Sequence, residues 1–535
     1  MTQLLKILFS LSVLLWLTLP LSAQKKADRP NIILIMADDM GYSDVGCYGS
    51  EIPTPNIDRL AKNGVRMSSF YNQARCCPTR ATLMTGLFPH QTGIGQMTNS
   101  PKGDQFKKWG TEGYIGYLNR KCVTMAEALK EAGYNTYMAG KWHLGYHQQD
   151  RWPLQRGYDR YYGIISGASS YFAPKAPRGL TLDNTHVQPE GENYYTTDAF
   201  TDYAIEFIEG HEKLQPYFLY LAYNAPHWPL QAKAEDIELF KEKYKAGWDV
   251  IRKARYEKQQ QLGLFEGREV GLSPRDEIVR PWEQLSEKEQ EEVAYRMAVY
   301  AAQIYSMDQN IGKLISKLEE RNELDNTLII FLSDNGGCAE PYKELGGGDF
   351  ADINNPAKTG AISYGQGWAN VSNTPFSKYK VYTHEGGIST PLIAHWPKGL
   401  KKKKGEIVHQ PAYLIDVMPT VLEAANAQYP KVFHQGNDIH PLEGNSLIQL
   451  FKKGKGTQHE YMFWEHQNNC AVRYGEWKMV KKLKDQQWQL YDLTTDRTEQ
   501  HDVSAQHPEL VKQLDTKWQE WAISHYVLPK KLQEK

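Results

Sequence analysis

The strongest constraint on the fold is a recurring alternation of short apolar runs with stretches of helical period. Residues 31–37, 134–139, 217–223, 327–333 and 391–396 are rich in aliphatic and aromatic side chains, the pattern of strands buried on both faces. Between them, residues 57–62, 124–132, 197–209 and 289–320 place apolar side chains at helical spacing. Parallel strands need a crossover, usually a helix, so this order predicts an α/β fold: a large mixed, mostly parallel sheet sandwiched by helices. Residues 233–292 turn strongly charged with scattered apolar positions and read as an insertion packed on the outside or over a cleft.

After the lysine run at 401–404, a helical pattern around 414–424 leads into a Gly- and Pro-punctuated stretch reaching Gly444. Beyond it, residues 470–480 and 488–493 are Tyr/Trp/Val-rich, and a helical pattern runs from 508 to about 523. This predicts a smaller C-terminal antiparallel sheet plus helix. The expected organisation is a leader at 1–23, a catalytic domain at 24–444 and an α+β subdomain at 445–535. The leader carries Lys6, an apolar run at 7–21 and the small-residue end Leu21-Ser22-Ala23, the pattern of a secretory signal peptide. Its run is short for a spanning helix and contains Pro20, so no stable membrane insertion is expected. The expected location is periplasmic or extracellular.

Lys+Arg 62 against Asp+Glu 63 leaves a net charge of -1, which provides no basic field for nucleic acid. Six cysteines are too sparse for a disulfide-built scaffold, although export would permit a bridge. Adjacent Cys76 and Cys77 suit neither an ordinary disulfide with each other nor a tetrahedral zinc knuckle, so another role must explain them.

In open parallel sheets ligands bind beyond the carboxyl ends of the strands. Here the runs end in Asp38-Asp39, in Gly140-Lys141-Trp142-His143, in Pro226-His227 and in Asp334-Asn335-Gly336-Gly337. Singly, each has a bland reading as a cap, a satisfied core histidine or a turn. Together they point to one site. Asp38, Asp39, Asp334 and Asn335 offer only oxygen, which suits Ca²⁺ or Mg²⁺ better than zinc. Arg80, Lys141, His143 and His227 supply positive charge and donors that favour a tetrahedral oxyanion such as sulfate or phosphate, so an anionic ester is the expected substrate.

The segment Cys76-Cys77-Pro78-Thr79-Arg80-Ala81-Thr82-Leu83-Met84-Thr85-Gly86 resembles the signature of type I sulfatases of the alkaline phosphatase superfamily. That signature is Cys or Ser, any residue, Pro, any residue, Arg, closing on Thr-Gly. Pro78 and Arg80 lie two and four positions after Cys76, so the register selects Cys76 over Cys77; Thr79 replaces the commoner serine. The resemblance continues through Gly140-Lys141-Trp142-His143-Leu144-Gly145, Ala225-Pro226-His227, Ser333-Asp334-Asn335-Gly336-Gly337 and Lys380 five residues before Glu385-Gly386-Gly387. It covers nearly the whole mature chain and implies an alkaline phosphatase-like fold.

The resemblance further implies that a formylglycine-generating maturation enzyme oxidises Cys76 and that the hydrated aldehyde attacks sulfur. Asp38, Asp39, Asp334, Asn335 and the modified Cys76 would hold Ca²⁺, with Mg²⁺ as the other choice. Arg80 would hold the diol, Lys141 and Lys380 would grip sulfate, His143 would act as base, and His227 would protonate the leaving alcohol. Lys378 reads as a solvated surface lysine.

The expected function is an exported sulfatase acting on sulfated carbohydrate, galactose-type sugars of host glycans among the candidates, with aryl sulfates as the simpler substrate. Tyr 33 and Trp 14 are a heavy aromatic load that can supply sugar-stacking platforms. Two other readings stand beside it: a phosphatase or phosphonate hydrolase of the same superfamily, and a non-catalytic protein that binds sulfated glycan through an unmodified Cys76. His466 and Asn469 are further candidates for substrate recognition.

Overall fold

Strand β1 (Asn31–Ala37) is buried after its first residue and sends successive side chains to opposite faces of the sheet. The computed structural model describes residues 29–98, 110–211, 215–268, 270–400, 404–481 and 487–528. The expected leader at 1–23 and lysines 401–403 lie outside these residues. The other strands of the main sheet are β2 (Val65–Met67), β3 (Asn135–Gly140), β4 (Arg160–Ile164), β5 (Leu180–Leu182), β6 (Thr185–Val187), β7 (Tyr217–Ala222), β8 (Thr327–Ser333), β9 (Leu392–His395) and β10 (Glu406–Val408). Their spatial order is β10-β2-β9-β8-β1-β7-β3-β4-β5-β6.

The five strands β8-β1-β7-β3-β4 are mutually parallel, with Ile33 opposite Ile329 on one side and Leu219 on the other. This large, mostly parallel sheet is the expected architecture. β9, expected from residues 391–396, runs antiparallel to both β8 and β2, and β5 and β6 close the far edge as antiparallel strands. An apolar run carries no information about its direction.

One face of the sheet, with Ile33, Ile35, Leu219, Leu221, Ile329 and Phe331, packs in one core with Met297, Ile304, Ile311 and Leu318 of a 34-residue helix, Glu287–Glu320. That helix starts on a capping box: Ser286 accepts from the Glu289 N–H while the Glu289 carboxylate accepts from the Ser286 N–H. The opposite face, with Leu34, Met36, Tyr220 and Ile330, packs with Leu83 and Met84 of helix α1 (Cys76–Thr85).

The charged insertion is not merely peripheral. Its helix α2 (Trp248–Gln261) turns Arg255 inward, where it pairs with Asp44 at 2.6 Å and Glu51 at 2.7 Å, and Gln259 donates to the carbonyls of Tyr48 and Thr374. A buried guanidinium persists only when paired in this way.

The C-terminal sheet is an antiparallel meander of β11 (Tyr461–His466), β12 (Asn469–Tyr474), β13 (Trp477–Lys481) and β14 (Gln489–Asp492), followed by helix α3 (Pro508–Ser524). The run at 470–480 is therefore two strands rather than one. It folds back at Gly475, whose φ of +58° is the left-handed conformation a tight turn requires. The first strand, β11, was not anticipated.

Candidate active site

Strands β1, β3, β7 and β8 end at the same edge of the sheet, and each delivers polar residues there. Asp38 and Asp39 follow β1, Lys141 and His143 follow β3, His227 lies five residues past β7, and Asp334 and Asn335 follow β8. Close backbone approach makes the crowding possible. A Cβ on Gly140 would fall 1.9 Å from the Ala222 carbonyl oxygen, and one on Gly336 would fall 1.9 Å from that of Gly386. Asp39 and His143 adopt positive φ values of 66° and 56°, conformations that cost energy and that the surrounding packing must hold.

α1 begins at Cys76, so the nucleophile candidate sits at the positive end of a helix and Arg80 lies one turn later on the same side. Cys76 Sγ is 3.5 Å from His143 Nδ1. The Cys77 thiol instead contacts the Gln96 carbonyl at 3.7 Å and Met97 Sδ at 3.4 Å. The hydrogen bond from the Cys77 thiol, followed by the opposing cost of burial, the favourable charge of Lys141 and the hydrogen bond with His143, leaves the Cys76 thiol well below its ordinary range. All six cysteines are buried, and Cys47, Cys76, Cys77, Cys122 and Cys338 form no disulfide among the described residues.

Three cations neutralise three carboxylates in this space. Lys141 Nζ is 2.5 Å from Asp38 Oδ2. Arg80 donates from Nη2 at 2.8 Å and Nε at 3.1 Å to Asp334 Oδ2, and lies 3.8 Å from Asp38. Lys380 Nζ is 2.8 Å from Asp39 Oδ1. Asn335 Nδ2 donates to Asp39 at 2.8 Å, and His227 Nε2 lies 3.4 Å from the same carboxylate. All are buried. Every catalytic and metal position expected from the sequence is thus brought into one buried cluster.

Burial and the neighbouring Asp38 push the Asp334 carboxyl up against the pull of Arg80 and Lys141, and burial raises Asp38 as well. For Asp39, burial is outweighed by His227 and Lys380, which hold it below the carboxylate range. Burial also pushes His143 and His227 down to about 4, so both imidazoles are neutral near pH 7. Nδ1 of His227 faces the Trp228 carbonyl at 2.7 Å and donates to it, which turns Nε2 toward Asp39.

The donor set fits a hard divalent cation. Asp38 Oδ1 and Asn335 Oδ1 are buried acceptors without a hydrogen-bond partner among the described residues, an arrangement that burial penalises unless a ligand engages them. Asp38, Asp39 and His227 each direct a ligand atom into a space where these atoms lie within 4.8 Å of one another. His227 adds a nitrogen that the oxygen-only expectation did not include.

Lys380 is delivered by a loop that the C-terminal subdomain holds. Its backbone N–H donates to the Gly337 carbonyl, and that of Val381 donates to Ala74, next to the nucleophile helix. Five residues on, buried Glu385 binds Lys478 at 2.8 Å, Arg497 at 3.0 Å and the Tyr71 hydroxyl at 3.1 Å. Glu499 accepts from the Glu385 N–H at 2.8 Å and also pairs with Lys478 at 2.8 Å. Sequence reasoning singled out Glu385 only as a motif position and missed Lys478, Arg497 and Glu499, which lie more than 90 residues away.

Lys378, expected in solvent, is pinned to Asp276 at 3.0 Å and is 29% exposed. His466 and Asn469 are buried at the β11–β12 turn, where Asn469 Nδ2 donates to the His466 carbonyl. Two residues beside the cluster also went unread: Arg75, immediately before Cys76, and Glu340, five after Asn335, which pair at 2.8 Å. Extending each motif by a few positions would have included them.

Comparison with known proteins adds an independent line. The family model Sulfatase matches residues 30–427, and the model N-sulphoglucosamine sulphohydrolase, C-terminal, matches 376–523. An uncharacterized sulfatase of Schizosaccharomyces pombe is 35% identical over 525 residues, covering 92% of this chain and 94% of its own length. An arylsulfatase of Klebsiella aerogenes is 37% identical over 446 residues, with 79% and 92% covered. The crystal structure of Ps i-CgsB in complex with k-i-k-neocarrahexaose matches with a TM-score of 0.67 at 29% identity, over 92% of this chain and 93% of that one.

Proposed function

Because the chain belongs to the sulfatase family and is a hydrolase of sulfate esters, we propose that it is an exported enzyme that removes O-sulfate from carbohydrates through a formylglycine made from Cys76 and a bound Ca²⁺. The observation that carries this reading is the placement of Cys76 at a helix N-terminus, 3.5 Å from His143 and beside a buried cluster of three carboxylates and three cations. The carbohydrate part draws on the likeness to a protein solved with a neocarrahexaose, and the export part on the apolar, Ala23-terminated leader pattern.

Asp38, Asp39, Asp334 and Asn335 would hold the cation, which when bound supplies charge to polarise an oxygen at position 76. The hydrated aldehyde, when present, supplies two hydroxyls, one to accept the sulfuryl group and one to expel it. The remaining work falls to the chain's own side chains. Lys141 and Lys380, held in place by Asp38 and Asp39, present ammonium groups to sulfate oxygens whose charge grows in the transition state. Arg80 orients position 76 and balances Asp334. Neutral His143 faces position 76 through Nδ1 and takes a proton from a hydroxyl there. His227, whose Nδ1–H is committed to the Trp228 carbonyl, presents Nε2 to the leaving group and serves as its acid in the protonated form, which the Asp39 carboxylate favours.

The test is direct. Protein co-produced with a formylglycine-generating enzyme is examined by peptide mass spectrometry at position 76, then assayed against sulfated monosaccharides, 4-nitrophenyl sulfate and 4-nitrophenyl phosphate. An aldehyde at position 76 and sulfate release from sugars are expected. Equal turnover of matched phosphate and sulfate esters would instead identify a phosphatase, and an unmodified thiol with sugar still bound would identify a binding protein.

A further inference from the structure

Beside the buried catalytic cluster lies a partly exposed charged pair that the chemistry above does not use. Arg75 and Glu340 join through Nη1 and Oε1 at 2.8 Å, with side-chain exposures of 11% and 20%. Each keeps one functional atom in reserve. Arg75 Nε is buried and has no hydrogen-bond partner among the described residues. Among the described residues Glu340 Oε2 has only long contacts, 3.6 Å to Lys380 Nζ and 3.6 Å to Cys338 Sγ. Pairing with Lys380 and Arg75 outweighs the cost of burial and holds the Glu340 carboxyl down at about 2, so it is an ionised acceptor across the working pH range.

Location gives this pair its meaning. Arg75 is bonded in sequence to the nucleophile, and Glu340 touches the lysine that would grip sulfate, so both flank the atom that carries the leaving group. Tyr342, 39% exposed, lies within electrostatic reach of Glu340, Arg75 and the partly buried Tyr382. Cys338 and Trp228 line a narrow adjoining cleft of about 10 Å³ that reaches Asp39. A donor, an acceptor and partly exposed aromatic rings beside a sulfate position are what a polyhydroxylated ring needs: a hydroxyl can donate to the carboxylate and accept from the guanidinium at once. An aryl sulfate offers no such group.

Resting on the sugar-sulfate reading above, we propose that Glu340, backed by Arg75, determines specificity by binding the ring hydroxyl nearest the scissile sulfate, which selects sugar sulfates over aryl sulfates. Glu340→Gln keeps the shape and leaves one oxygen for Arg75 while weakening the acceptor. The mature wild type and variant, matched for aldehyde content, are assayed on three substrates. These are the sulfated monosaccharide the wild type turns over best, its analogue with hydrogen in place of the hydroxyl nearest the sulfate, and 4-nitrophenyl sulfate.

The ratio of kcat/KM for the sugar to that for 4-nitrophenyl sulfate is expected to fall by about tenfold to a hundredfold in the variant, as for a lost hydrogen bond to a charged group. The wild type should lose a similar factor on the deoxy sugar, a comparison that needs no variant, and the variant should scarcely distinguish the two sugars. An unchanged ratio in a wild type and variant that both hydrolyse the sugar, or a variant that still rejects the deoxy sugar, overturns this assignment alone. A wild type active on 4-nitrophenyl sulfate and on no sugar sulfate overturns both this and the carbohydrate reading.

Discussion

Two adjacent cysteines have different fates because a helix turns by 100° per residue. Cys76 faces His143 and the cations, whereas Cys77 is inert, its thiol pushed up by burial. Cys76→Ala is therefore expected to remove turnover by about 10⁴-fold or more, as for a lost nucleophile, and to leave the circular dichroism spectrum unchanged. Retained turnover would place the reacting group elsewhere. Asp334 is the second residue to test. Asp334→Asn keeps its shape but removes one of three negative charges and the ionic partner of Arg80. Calcium affinity by titration calorimetry should drop by at least about tenfold, with turnover falling alongside. Wild-type calcium binding in this variant would remove Asp334 from the ligand set. The nearness of Cys76 and Arg80 is legible in the sequence, since a spacing of four is one helical turn. The pairing of each cation with its carboxylate is not, because Lys141 meets Asp38 across 103 residues and Lys380 meets Asp39 across 341.

At the level of elements, the loop that carries Lys380 is held by a clamp from a different part of the chain. Removing Lys478 would leave Glu385 and Glu499 buried without their shared cation, which costs about 3–5 kcal/mol. Lys478→Met should lower the Tm clearly, and adding Glu499→Gln should recover part of the loss. The clamp also gives stability a pH dependence. Burial and Glu385, against Lys478, push the Glu499 carboxyl up to about 7, above its ordinary 4.5. The folded state then binds more protons than the unfolded one between these values, so this group's contribution is present below pH 4.5 and is lost as pH rises through 7. Glu385, held down at about 2 by Lys478 and Arg497 despite burial, acts oppositely, with a contribution lost as pH falls from 4.5 toward 2. Glu499→Gln should flatten the decline of Tm between pH 4.5 and 7; an unaltered slope would contradict this account.

Over the whole molecule, the main sheet and the C-terminal sheet do not have separate interiors. Trp464, Val472, Met479 and Leu490 of the meander, and Trp518 and Trp521 of α3, belong to the same buried cluster as Leu34, Met36 and Ile330 of the main sheet. Scanning calorimetry of the full chain should show one unfolding transition; two well-separated transitions would mean that the C-terminal part unfolds independently. Calcium that binds only the folded state should raise the Tm, by linkage worth about 2.7 kcal/mol at a hundred times its Kd, and a chelator should reverse the gain.

The sequence by itself determined five of the ten main-sheet strands and the helices between them, the polar residues that follow the buried parallel strands, and the register that selects Cys76. These are written in local hydrophobic period and in spacings of one helical turn. Only the tertiary structure decided the reversed direction of β9, the inward docking of Arg255 from the charged insertion, the clamp on Glu385 and the approach of Arg75 to Glu340. Each depends on partners dozens to hundreds of residues apart, and no local pattern encodes which buried charge will meet which once the chain has closed around them.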